Sequence, residues 1–202
     1  MKKYIVEFIG SFFLVLTVCT AGALGTAASL LAVGAALMVM VYAGGHVSGG
    51  HYNPAVTLGV YLRGGFKKED VLPYWAAQFA GALAAVVAVC ILKERNVFDI
   101  TGGGIHWLPV IFGDFLGTFA LVWVVLNVAT AKGTAGNSFY GLAIGFTVFV
   151  CAVAFGGAFN PAVAFGLFLK GAGIQALIAM LLGEVLGAAL AATAFKAVNN
   201  ET

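Results

Sequence analysis

Charge is what this chain has least of. Only 9% of its 202 residues are Asp, Glu, Lys or Arg, against about 25% in a soluble globular domain. So little polar surface excludes one large soluble domain, and the mean hydropathy of +1.04 agrees. Cysteine is scarce as well. Cys19, Cys90 and Cys151 all fall inside apolar stretches, which excludes a disulfide scaffold and reads as buried free thiols. Basic residues outnumber acidic ones by 10 to 8, and no basic cluster exceeds two or three residues. Nucleic acid is therefore not an expected partner. No nucleophile–base pair and no metal-ligand cluster stands out either, so neither an enzyme nor a cofactor or metal is expected.

What is present is apolar sequence in lengths that cross a bilayer, about 20 residues each. Six candidate spans cover residues 4–24, 29–45, 72–92, 108–129, 138–155 and 173–195. Met1-Lys2-Lys3 before an apolar run resembles the start of a signal peptide. The run goes on to Leu24 with Glu7 inside it, so it reads as the first span. Two apolar stretches are too short to cross, residues 54–61 and Pro161–Leu169, and both begin at proline. Proline suits a first helical turn, where its missing N–H costs nothing. These read as half-helices, whose irregular flanks survive at membrane depth only beside protein or a wet cavity.

Basic residues near span ends set orientation. With the N-terminus inside, the cytoplasmic side receives Lys2, Lys3, Arg63, Lys67, Lys68, Lys132 and Lys196. The other side receives Lys93, Arg95 and Lys170. Seven against three puts both termini in the cytoplasm.

The chain also repeats itself. At an offset of 107, Glu7-Phe8-Ile9-Gly10-Ser11-Phe12 answers Asp114-Phe115-Leu116-Gly117-Thr118-Phe119, and Asn53-Pro54-Ala55-Val56 answers Asn160-Pro161-Ala162-Val163. Gly49-Gly50 answers Gly156-Gly157, and Gly34 answers Gly141. At 106, Gln78 and Gly81 answer Glu184 and Gly187. The chain reads as a single domain, 1–202, of two halves, 1–95 and 108–202. Each half holds three spans. Three is odd, so the halves are inverted about an axis in the membrane plane. One Asn-Pro-Ala loop then enters from each side and the two prolines meet near the midplane. Matched glycines such as Gly81 and Gly187 read as close helix crossings.

A half-helix starting at Pro54 or Pro161 leaves N–H groups unpaired and aims its positive end at the midplane. Asn53 and Asn160 can each cap their own helix through the side-chain oxygen and keep the NH2 as a donor to the lumen. Two such donors hold a passing water or hydroxyl oxygen and interrupt a proton wire. Two converging positive ends also repel cations. The segments ahead of the half-helices should be extended. Carbonyls of Gly50, His51 and Tyr52, and of Gly157, Ala158 and Phe159, would be the pore's acceptors. Glu7 and Asp114 are expensive at membrane depth unless partnered. Their repeat equivalence favours bracing of loop backbone N–H groups over a proton path or ion site. Glu184 braces a helix contact or pairs in the bundle interior. His46 and His51 flank the first loop, and local hydrogen bonding outweighs a metal pair there.

The stretch Ser48-Gly49-Gly50-His51-Tyr52-Asn53-Pro54-Ala55-Val56-Thr57 resembles the signature of the major intrinsic proteins, the aquaporin and glycerol-facilitator family. The first-span Glu7 with Gly10-Ser11-Phe12, the run Ala77-Gln78-Phe79-Ala80-Gly81 and the second Asn160-Pro161-Ala162 extend the resemblance over nearly the whole chain. It implies an all-α, right-handed bundle of six spans plus two half-helices. It also implies a homotetramer with one pore per protomer, and passive flow of water or small neutral solutes without a cofactor.

The resemblance further implies an outer constriction at Val33, Val148, Gly157 and Val163. Typical members carry arginine where Val163 stands. Water-selective members put an aromatic and a histidine where this chain has Val33 and Val148, and glycerol-conducting ones keep the arginine beside aromatics. Neither set is present. The constriction should be wide and apolar unless Phe12, Phe149 or Phe159 fills it. Water remains the first candidate, with a larger or less polar neutral solute as the alternative. A secondary transporter would need hinges and a coupling-ion site, and a structural membrane protein would conduct nothing. The short termini and the link over 93–108 suggest a compact protein of a bacterial inner membrane.

Overall fold

The computed structural model describes residues 1–94 and 96–199. Arg95, counted above among the outer charges, lies outside the described residues. The chain forms α1 (Lys2–Thr20), α2 (Ala27–Ser48), α3 (Pro54–Arg63), α4 (Lys68–Leu92), α5 (Trp107–Val125), α6 (Tyr140–Phe155), α7 (Pro161–Leu169) and α8 (Gly173–Asn199). Five of these, α1, α2, α4, α5 and α8, are long and apolar enough to cross a membrane.

The fifth expected span, 138–155, is the exception. Its helix α6 has 16 residues, about 24 Å at 1.5 Å per residue. Asn137 holds the chain outside the helix at one end, its amide donating to Val128 O and Thr134 O (2.6 Å each). Gly156 turns the chain at the other end with a positive φ of 65°. Other limits also move. The first span ends at Thr20 and adds a separate 3-10 turn at Gly22–Leu24. The first half-helix runs on to Arg63, where Gly64 closes it.

Side-chain packing follows the repeat. A Cβ on Gly81 would stand 2.5 Å from Phe8 O, and one on Gly187 would stand 2.6 Å from Phe115 O. These glycines let α4 lie directly on α1, and α8 on α5. Between the halves, a Cβ on Gly34 of α2 would stand 2.6 Å from Gly145 O of α6. Close backbone contact of this kind replaces a hydrophobic drive between helices in lipid. Ile9, Phe13, Leu83, Val87, Leu182 and Leu186 remain exposed on the outer faces.

The ends of the bundle are tied by polar contacts. At one end, Lys3 Nζ pairs with Asp70 (2.6 Å) and Arg63 donates to Thr130 O (2.8 Å). At the other, Lys170 Nζ donates to Cys19 O (2.6 Å) and Asp99 N to Leu169 O (2.9 Å). The Thr101 hydroxyl and amide hold the Asp99 carboxyl below the usual carboxylate range.

Candidate pore

Each half-helix starts where its asparagine turns the chain. Asn53 and Asn160 are extended N-caps, with φ of −160° at both. Asn53 Oδ1 accepts from Ala55 N (2.8 Å) and Val56 N (3.3 Å). Asn160 Oδ1 accepts from Ala162 N (2.9 Å). Pro54 and Pro161 occupy the first helical position and, with Ala55 and Ala162, are buried.

The side-chain amides cross between the halves. Asn53 Nδ2 donates to Phe159 O, and Asn160 Nδ2 donates to Tyr52 O, both at 2.9 Å. The expectation of a wholly free NH2 is therefore amended. Each amide has two hydrogens, and one is committed to the opposite loop. The carbonyls of Tyr52 and Phe159 are correspondingly committed to the opposite asparagine. Gly50, His51, Gly157, Ala158 and Phe159 line the central cavity, and the Tyr52 carbonyl sits beside it on the Asn160 amide.

Aiming those two carbonyls requires an unusual backbone. Tyr52 has φ 48° and Phe159 has φ 55°, a left-handed conformation that is costly for bulky residues, about 1–3 kcal/mol each. Two restraints hold each one. Tyr52 N donates to Glu7 Oε2 (2.7 Å) and Phe159 N to Asp114 Oδ1 (2.9 Å). The rings lie over Gly10 and Gly117, where any Cβ would land in the ring.

The carboxylates sit where the loops need acceptors. Glu7 Oε1 accepts from Ser48 Oγ (2.7 Å) and His51 N (3.0 Å), and its Oε2 from Tyr52 N and Gln78 Nε2 (2.8 Å). Asp114 Oδ1 accepts from Ala158 N (2.8 Å) and Phe159 N. Glu184, whose partner the sequence left open, accepts from Asn160 N through Oε1 (2.7 Å). Ser48 and Gln78 were not singled out as site residues. Gln78 had a signal, its repeat match with Glu184. Ser48 had none. His51 Nδ1 lies 3.0 Å from Thr57 Oγ1, while His46 is exposed and borders a separate cavity.

A central cavity of about 170 Å³ runs past both asparagines. Val33, Val148, Gly157 and Val163, the four positions of the expected outer constriction, all line it. The rest of its wall includes Leu14, Val18, Leu30, Leu37, Val56 and Leu121. Phe159 reaches it, and Phe12 and Phe149 are not in its lining. A second cavity of about 480 Å³ lies on the Arg63 side, bounded by Gly49, His46 and the strap 128–137. Ile144 borders both. Among the described residues no group of three or more His, Cys, Asp or Glu could hold a metal.

Spanning helices around two half-helices that meet tip to tip, with a cavity running past the tips, define a membrane channel. Comparison with known proteins gives its kind. The major intrinsic protein family model matches residues 1–195. The chain is 34% identical to glycerol uptake facilitator protein-like 6 of Lactiplantibacillus plantarum, over 100% of both chains. It is 34% identical to aquaporin NIP1-4 of rice, over 98% of this chain and 77% of that one. The solved aquaglyceroporin of Plasmodium falciparum superposes with a TM-score of 0.81, covering 98% of this chain and 96% of its own at 21% identity. The chain belongs to the major intrinsic protein family, the aquaporins and glycerol facilitators.

Proposed function

We propose that this protein conducts water and small neutral solutes passively, in single file past Asn53 and Asn160. The observation that carries this reading is the shared cavity: both asparagines and all four outer positions border one space. Each asparagine amide keeps one N–H beyond its cross-loop bond, and that N–H is the donor a permeant oxygen would meet. The first turns of α3 and α7 add their positive ends at the same level, which disfavours cations.

A second reading has an observation of its own. The outer part of the cavity is walled by Val18, Leu30, Val33, Val148 and Val163, so width and dryness select there and side-chain charge does not. Such a wall suits a larger or less polar neutral solute with weak preference for water. A relative named as a glycerol uptake facilitator makes a small polyol a natural test solute.

Val163→Arg separates the two. Arginine is longer and brings five donors on a rigid fork. Stopped-flow light scattering on liposomes with matched protein should show glycerol and urea flux falling more than water flux. An unchanged ratio in a well-assembled variant removes Val163 from the selective site.

The protein also sits, on this reading, as a homotetramer in a bacterial inner membrane with both termini in the cytoplasm. A cysteine added after Thr202 should resist an impermeant outside thiol reagent, and one placed within 96–104 should react. The reverse labelling would invert the orientation. Crosslinking that stops at monomer would remove the tetramer.

A further inference from the structure

We propose that Glu184 is a positioning residue for Asn160, and that it works as half of an acid pair with Asp114 in which the two carboxyls share one proton. The starting point is a mismatch between the halves. In the first, Glu7 spends both oxygens on four donors, one of them the Gln78 amide at 2.8 Å. In the second, the residue answering Gln78 is Glu184. A carboxylate accepts only, so it cannot give Asp114 what Gln78 gives Glu7.

The structure shows the shortfall. Asp114 is 1% exposed and Glu184 is 0% exposed. Each spends one oxygen on the loop. Asp114 Oδ1 holds Phe159 N, and Glu184 Oε1 holds the next amide, Asn160 N. The other oxygens, Asp114 Oδ2 and Glu184 Oε2, have no partner among the described residues. The two side chains are neighbours. They grip consecutive amides, and a Cβ on Gly183 would lie 3.0 Å from Asp114 Cβ.

An unpaired buried carboxylate oxygen is costly, and two on neighbouring side chains more so. A single proton between them answers both. It makes one acid a donor, as Gln78 is a donor, and leaves one negative charge, as in the first half. The Thr118 hydroxyl, one turn further along α5, has no partner among the described residues either and reaches neither oxygen.

Among the described residues no other charge competes for the pair. Asp114 is the one ionisable side chain within α5, with His106 at its N-cap. Residues 156–169 carry none, and α6 carries only Tyr140 and Cys151. On α3, Arg63 stacks on Phe195, eleven residues beyond Glu184. Lys196 is twelve residues along α8, about 18 Å. Lys170 is turned to Cys19 O.

The functional half of this proposal rests on Asn160 lining the pore. The proton does not, and its test is separate. Infrared difference spectra of the reconstituted protein should contain the carbonyl stretch of a protonated carboxyl. Glu184→Gln and Asp114→Asn should each abolish it. Its absence in wild type, or its survival in both variants, overturns the shared proton.

Flux then tests positioning. Glu184→Ala should lower water flux, and Glu184→Gln should restore it, because Gln accepts from Asn160 N and donates to Asp114 as Gln78 does to Glu7. Raising pH until the shared proton leaves should lower wild-type flux and spare Glu184→Gln. The double variant Asp114→Asn, Glu184→Gln turns two NH2 groups toward each other, and should conduct less than either single variant. Identical pH profiles for wild type and Glu184→Gln, or a double variant that equals the singles, would remove Glu184 as a positioning residue.

Discussion

The two pore loops solve one problem with different chemistry. The first hangs on one carboxylate, Glu7, which takes four donors and leaves neither oxygen free. The second hangs on two carboxylates, each with one oxygen spent and one left over. Asp114 is one methylene shorter than Glu7, and it serves the amides of Ala158 and Phe159. Glu184, from a different helix, takes Asn160 N. The end point is the same in both loops: a left-handed aromatic, a capping asparagine and a carbonyl offered to the other half. Symmetry is kept in the backbone of the pore and relaxed in the residues that hold it.

The strongest way to break this comparison is to remove the braces. Glu7→Ala strands four donors and Asp114→Ala strands two. A buried unsatisfied group costs about 1–3 kcal/mol, so the Glu7 variant should lose roughly twice the stability of the Asp114 variant. Thermal unfolding in detergent, followed by circular dichroism, reads this directly. Equal shifts in the midpoint would mean that the loops do not depend on their carboxylates in proportion to the bonds seen.

A smaller effect is expected at the tips. Asn53→Asp and Asn160→Asp each lose the N–H that reaches Phe159 O or Tyr52 O. Each keeps the capping oxygen, so α3 and α7 should still start where they do. A carboxylate facing the opposite carbonyl is repelled, and flux should fall in both variants. Asn53 caps with two bonds and Asn160 with one, so the Asn160 variant should lose more. Normal expression with unchanged water flux in both would take these side chains out of the pore.

Much of this arrangement is legible in the sequence because it is written twice. The Asn-Pro-Ala loops, the half-helix starts and the match of Glu7 with Asp114 all appear at one offset. So does the signal for the left-handed aromatics, since Gly10 and Gly117 match as Tyr52 and Phe159 do. What hid it is that a ring filling a glycine notch lies over forty residues away in the chain. Glu184 could be placed by repeat but not partnered, because its match is Gln78 and no second acid marks a shared role, as Glu7 and Asp114 mark each other's. The bounds of α6 lie within two residues of the expected span 138–155, and what the sequence hid is the strap at 128–137 and its junction with that helix. Their shape comes from Asn137 and Thr134 bonding to nearby carbonyls, a local competition with helix that polar residues offer wherever they occur.

The finest difference between the loops is a single hydroxyl. Tyr52 and Phe159 match in position, in left-handed φ and in the glycine beneath the ring. Only Tyr52 has an O–H, and it donates to Met40 O at 3.0 Å. Room for it comes from Gly44, where a Cβ would collide with the tyrosine oxygen. The residue answering Gly44 at the same offset is Cys151, which is buried and carries a side chain. Tyr52→Phe should therefore cost about 1 kcal/mol, the net worth of one hydrogen bond, and leave flux unaltered. Phe159→Tyr should cost more, because its hydroxyl would enter a place already filled by Cys151, and overpacking a tight core costs about 1–3 kcal/mol. Cys151→Gly in the Phe159→Tyr background should recover part of that loss by rebuilding the notch the first half has. Midpoints of thermal unfolding for the three variants decide the matter. If Phe159→Tyr is tolerated as well as Tyr52→Phe, Gly44 is not there to seat the hydroxyl, and the loops differ in their braces alone.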